Sequence, residues 1–204
     1  MEDGGDVRRL GSIMPPKLIL TGFMATGKTT IARAVAERLC WRLIDSDERL
    51  VARAGKPIQQ IFRDHGEAHF RALERDVIAA IAADRERCPQ SGMPRPAVVA
   101  TGGGTLIDPV NFATLERVGV IVCLVARPDV IARRIGRHAA SRPMLTEGGK
   151  PLRVRIAELL EERRVAYARA PISIDTSQAS VGKVTEMVLE AFAKYGSVQW
   201  KASA

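Results

Sequence analysis

Short apolar runs alternate along this chain with longer stretches in which apolar positions recur every three or four residues. The runs Leu18–Thr21, Arg42–Ile44, Ala97–Ala100, Val120–Val125 and Ile172–Ile174 have the length of buried strands. Between the first two, Ile31, Val35 and Leu39 mark one face of a helix. A second helical stretch carries Ile58, Ile61 and Phe62, breaks at Gly66, and resumes with Phe70, Leu73, Val77, Ile78 and Ile81. In "ARPDV" (126–130) Pro128 opens a helix after the fourth strand. Leu152, Ile156, Leu159 and Leu160 predict a long amphipathic helix, and Val184, Val188 and Phe192 a last one over roughly 181–193. Strands alternating with helices predict an α/β domain, a parallel sheet covered by helices. "CPQSGMPRP" (88–96) is a loop. The polar, cationic segment Arg137–Pro151 joins two helices and has the length of a lid over a site. We read residues 1–16 as a disordered lead-in, 17–194 as one domain without repeats or linkers, and 195–204 as a tail.

At 204 residues the chain is long enough to bury a sizeable core, and 46% hydrophobic with 26% charged residues is ordinary for a globular domain. The net charge of +8 favours anionic partners. The arginines are spread along the chain without a Lys/Arg-rich run or interleaved aromatics, so nucleotides and acidic metabolites account for the charge as well as nucleic acid does. Cys40, Cys88 and Cys123 are odd in number and widely spaced, which fits reduced thiols. His65, His69 and His138 lack metal-ligand companions at useful spacing and read as surface or cap residues. No apolar run reaches the length of a membrane span, and the first sixteen residues have no signal-peptide core. The expectation is a soluble cytoplasmic protein with no membrane or nucleic-acid partner.

The chemistry begins at Gly22. Gly22 to Thr29 reads G-F-M-A-T-G-K-T, a full GxxxxGK[ST] phosphate loop between an apolar strand and a periodic helix. Phosphate oxygens need several donors at close range, and the backbone N–H groups of Ala25, Thr26, Gly27, Lys28, Thr29 and Thr30 supply them with the positive end of the helix. Lys28 can reach the β- and γ-phosphates, and the Thr29 hydroxyl can ligate Mg²⁺. Such a loop does not by itself separate kinases from GTPases or motors. Those would place an acid after the Walker B strand, whereas here the third strand ends in "ATGGGTL" (100–106). Gly102–Gly104 suit either a close approach to a ligand or a flexible turn. In "LIDSDERL" (43–50), Asp45 and Asp47 fall two apart at the end of the second strand, where extended geometry would put both on one side. Capping of a helix by one of them is the plainer alternative. Arg71 and Glu74 are three apart and can pair on a helix surface. Arg163 continues the Ile156, Leu159, Leu160 stripe and there needs an anionic partner, unless it is solvated. Arg137 and Arg142 lie in the lid-length segment, which could carry an arginine over a triphosphate or be a disordered basic loop.

The ordered set "GFMATGKTT", "DSD", "GEAHFRALE", "TGGGT" and "SRPML", followed by "EERRVAY", resembles the shikimate kinase family over residues 17–193. The resemblance implies a five-stranded parallel sheet of order 2-3-1-4-5, like that of nucleoside monophosphate kinases, flanked by helices and bearing a mobile lid. It implies transfer of the γ-phosphoryl group of ATP to the 3-hydroxyl of shikimate, with Mg²⁺ as cofactor, in a protein expected to be a monomer. By the same resemblance Asp47 binds the acceptor hydroxyls and is the candidate base, and Asp45 reaches Mg²⁺ through water. Arg71 and Arg163 bind the carboxylate, Gly103 is a backbone donor, and Arg142 contacts the phosphates from the lid. The chain departs from the family at Ala25, where glycine is frequent, and at Val165, where proline is. A methyl at Ala25 is harmless at negative φ and strained at positive φ. Rival readings are a related small-metabolite kinase such as a gluconate kinase, and a non-catalytic binding protein.

Overall fold

The computed structural model describes residues 17–87, 95–136, 145 and 149–199, with the backbone alone from 196 onward. The five apolar runs are five strands, each within one residue of its expected bounds: β1 (Lys17–Thr21), β2 (Arg42–Asp45), β3 (Ala97–Ala100), β4 (Gly119–Val125) and β5 (Ile172–Asp175). All neighbours pair in parallel, in the order β2-β3-β1-β4-β5. Because successive strand residues face opposite ways, Leu18, Val98 and Val120 share one face while Ile19, Val99 and Ile121 share the other. Both faces are covered, which is why the strands read as continuous apolar runs rather than alternating ones.

On the first face pack α1 (Lys28–Leu39), through Ile31, Ala32 and Val35, and the last helix α8 (Val181–Gln199), through Val184, Val188 and Phe192. On the second pack α2 (Ser46–Ala54), through Leu50, and α3 (Ile58–Ala83), through Val77, Ile78 and Ile81. The helix α4 (Pro109–Glu116) adds Leu115 to that layer. A third cluster gathers Phe23 of the phosphate loop, Cys123 of β4, Ile131 and Ile135 of α5 (Pro128–Ile135), and Ile156 and Leu159 of α6 (Leu152–Glu162). Tyr167 of α7 (Arg164–Ala168) and Leu145 complete it. Burying one such side chain stabilises the fold by about 1.5–3 kcal/mol.

The break at Gly66 is present: α3 runs through it with φ 75° and ψ 179° at that residue. Among the described residues three α-helices go beyond the sequence reading, α2, α4 and the short α7, which is separate from α6. The first matters most, because Asp45 ends β2 in extended conformation and Asp47 already belongs to α2. The two aspartates therefore do not project from one face of a strand. The chain turns at Asp45, and helix geometry places Asp47.

Candidate active site

The phosphate loop, residues 22–29, joins the buried end of β1 to α1. Phe23 is anchored in the core, and Thr26, also buried, donates from Oγ1 to the Phe23 carbonyl at 2.8 Å. Lys28 is the first residue of α1, and its Nζ lies 2.9 Å from the same carbonyl. The helix has no side-chain cap and no acidic residue in its first turn, so its N-terminal N–H groups keep their attraction for anions. Ala25 adopts φ 60°, the strained alternative, at a cost of about 1–2 kcal/mol for a residue with a Cβ.

Beside the loop, the β2–α2 corner is set by Asp45. Its Oδ1 caps α2, accepting from the N–H groups of Asp47 at 2.9 Å and Glu48 at 3.4 Å. Its Oδ2 accepts from the Thr29 hydroxyl at 3.0 Å. Capping and a place at the phosphate loop thus coexist in one carboxylate. The adjoining hydroxyl and carboxylate oxygens suit a small hard cation such as Mg²⁺. Ser46, the intervening residue of "DSD", is buried, and its hydroxyl accepts the Gly102 N–H at 2.9 Å.

Gly102–Gly104 are the meeting point of the remaining groups, and each glycine faces a different one. A Cβ on Gly102 would stand 2.7 Å from Asp47 Oδ1. One on Gly103 would stand 3.2 Å from the Met24 nitrogen and 3.4 Å from the Gly22 oxygen, against the phosphate loop itself. One on Gly104 would stand 2.9 Å from Arg71 Nη1. The triplet is a close-packed corner rather than a loose turn.

Arg71 pairs with Glu74 at 2.8 Å, but not on the helix surface as the spacing suggested: Glu74 is only 4% exposed. Glu74 also accepts from the Thr105 hydroxyl at 2.9 Å, and Glu67 adds a second pair to Arg71 at 3.1 Å. Burial works against the charged guanidinium, yet the bonds and charges of Glu74 and Glu67 outweigh it and raise its pKa, so Arg71 is a fixed cation. Arg163, 5% exposed, ends α6, lies over the Phe23 ring at 5.3 Å, and reaches the Gly103 carbonyl at 3.4 Å. Tyr167 donates to that same carbonyl at 2.6 Å. Burial pushes the Tyr167 hydroxyl up to about 12, against the opposing effect of Arg163, so it stays a donor at neutral pH.

The structure therefore brings together Ala25, Thr26, Gly27, Lys28, Thr29, Thr30, Asp45, Asp47, Arg71, Gly103 and Arg163 in and around one corner. Arg137, Arg142 and most of the lid-length segment lie outside the described residues. His65 and His69 are exposed on α3, with ring centroids 4.7 Å apart. Sequence reasoning missed Ser46, Thr105 and Tyr167. For Tyr167 a signal existed, since it follows Arg163 by one helical turn and shares its face.

A parallel sheet of this order with a glycine–lysine–threonine loop between β1 and α1 defines a P-loop kinase. The family model described as shikimate kinase matches residues 24–193, and the chain belongs to the shikimate kinase family. It is 41% identical to the shikimate kinase of Caldanaerobacter subterraneus subsp. tengcongensis over 177 residues, 87% of this chain and 96% of that one. It is 41% identical to that of Geobacter metallireducens over 167 residues, 82% and 86% of the two chains. The structure of a shikimate kinase from Acinetobacter baumannii in complex with shikimate superposes with a TM-score of 0.80 at 26% identity, covering 93% of this chain and 98% of that one. A gluconokinase from Sinorhizobium meliloti, at 17% identity and a TM-score of 0.54, shares the fold. No helix among the described residues is long and apolar enough to cross a membrane.

Proposed function

We propose that this protein transfers the γ-phosphoryl group of ATP to the 3-hydroxyl of shikimate, giving shikimate 3-phosphate and ADP. The observation that carries the reading is the glycine corner. Asp47, the phosphate loop and Arg71 each touch a different glycine of one triplet, and Arg163 reaches the carbonyl of the middle one. Phosphoryl transfer needs in-line positioning and charge neutralisation more than covalent help, and a corner of this kind supplies both.

Each group has a distinct task in this reading. The loop N–H groups and Lys28 hold the β- and γ-phosphates. Arg71 and Arg163 bind the acceptor carboxylate, with a Gly103 N–H as further donor. Asp47 orients the attacking hydroxyl and accepts its proton as the new O–P bond forms and the β–γ bridging bond breaks. Since the transition state is loose, orientation is the larger part of its contribution. Thr29 would hold Mg²⁺ directly and Asp45 through water. The ion supplies neutralisation of phosphate charge when bound. Arg142, outside the described residues, would add positive charge toward the phosphates during transfer. In this reading the protein acts as a monomer, and the cytoplasm is the compartment that fits ATP as donor. The test is ³¹P and ¹H NMR of the product formed from Mg²⁺-ATP and shikimate. Phosphate coupled to the proton at carbon 3 is expected, and coupling at another carbon would overturn the placement of the hydroxyl.

A further inference from the structure

Ala25 is held in a backbone conformation its side chain disfavours, and the bonds that hold it come from two remote elements. Arg134 of α5 donates through Nη1 to the Ala25 carbonyl at 3.3 Å and to Thr176 Oγ1 at 2.9 Å. Through Nη2 it donates to the Thr176 carbonyl at 2.5 Å. The Thr176 hydroxyl in turn lies 3.0 Å from the Thr26 carbonyl and 3.2 Å from that of Val125, which share its proton. Thr176 is itself 3% exposed and fixed by its N–H to the Val125 carbonyl at 2.9 Å, just past the paired ends of β4 and β5. Two successive loop carbonyls, those of Ala25 and Thr26, are thus held by one arginine–threonine unit. In a trans peptide the N–H points opposite to the C=O, so holding the Thr26 carbonyl turns the Gly27 N–H away from Thr176.

We propose that Arg134, acting through Thr176, is a positioning residue that latches the strained phosphate loop in its anion-binding conformation. The latch matters in this chain because position 25 carries a methyl. Glycine would adopt φ 60° without cost and would leave the loop little reason to relax. Without the latch, an alanine loop spends part of its time in a relaxed conformation, and apparent affinity for phosphate falls by the competent fraction. The inference rests on the reading of this loop as the ATP-phosphate site.

The probe is inorganic tripolyphosphate, which carries the charges of ATP without its base, so any contact of Arg134 with the adenine cannot enter. Binding is measured by calorimetry on the wild type, Arg134→Ala, Ala25→Gly and the double variant. Arg134→Ala should weaken binding about fivefold or more, the worth of about one net hydrogen bond. In the Ala25→Gly background the same change should cost no more than about twofold, because the strain it unmasks is gone. Thr176→Val, which removes only the hydroxyl link, should show the same dependence on background and serves if Arg134→Ala fails to fold. Shikimate binding should not move in any variant. Equal losses in both backgrounds, no loss in either, or a parallel loss of shikimate binding would overturn the latch. A folded wild type that binds no tripolyphosphate would instead overturn the phosphate-loop reading itself.

Discussion

Gly104→Ala should raise the KM for shikimate while leaving that for ATP in place. At φ −107° the Gly104 backbone accepts alanine without strain, so the effect is a matter of space. The added Cβ would lie 2.9 Å from Arg71 Nη1 and 3.1 Å from Nη2, where about 3.4 Å marks the start of ordinary contact. The guanidinium must move by about half an ångström, and its pair with buried Glu74 at 2.8 Å prevents it from simply swinging away. A carboxylate clamp tolerates such a shift poorly. Losing one charge-assisted bond costs about 1.5–3 kcal/mol, or about ten- to a hundredfold in KM. Initial rates with shikimate varied at saturating ATP, and then the reverse, read the two constants. A thermal melt close to the wild type checks that the fold survives. An unchanged shikimate KM, or an equal rise in the KM for ATP, would refute the assignment of Arg71 to the acceptor carboxylate.

Asp47→Asn keeps the shape of the side chain and removes its charge, so kcat should fall by about a hundredfold or more while ATP affinity measured by calorimetry persists. An active variant would defeat the role of Asp47. At the opposite end of the sheet, a hydrogen bond from Arg42 holds the Asp84 carboxyl below its usual 3.8, against the opposing effect of burial. That stabilisation is present above the ordinary aspartate range and is lost as pH falls through the lower folded value. The stability difference between the wild type and Arg42→Ala should therefore shrink on acidification below about pH 4, and a constant difference in denaturant titrations would contradict it. Burial pushes the Cys123 thiol up to about 12, so iodoacetamide at about pH 8 should label exposed Cys40 and spare Cys123 until the protein is denatured. Labelling of Cys123 in the folded state, seen by peptide mass spectrometry, would contradict its burial beneath the phosphate loop.

The strands were legible because both faces of a parallel sheet are covered, and their runs are apolar enough to stand out from the helical periods around them. The phosphate loop was legible because its glycines, lysine and threonine sit within eight residues of one another. What escaped was set by distance along the chain. Helix α2 was hidden because "DSDERL" is polar and buries little beyond Leu50 and Ser46 among its residues. Its start at Asp45 then changed how Asp47 reaches the corner. Glu74 looked like a surface partner of Arg71, since nothing local reveals that Thr105 and Gly102 close over it. Arg134 and Thr176 lie far from Ala25 in sequence and meet it only through the ends of β4, β5 and α5. The sequence pointed to Ala25 as a departure from the family, and only the backbone angle decided that the departure carries strain.

The central claim is that the corner between the phosphate loop and the triple glycine accepts shikimate. The most direct measurement is ADP release from Mg²⁺-ATP in the presence of shikimate, with gluconate and acceptor-free reactions alongside. ADP formed with shikimate alone is the predicted result. ADP formed equally in all three, or with gluconate but not shikimate, would contradict it.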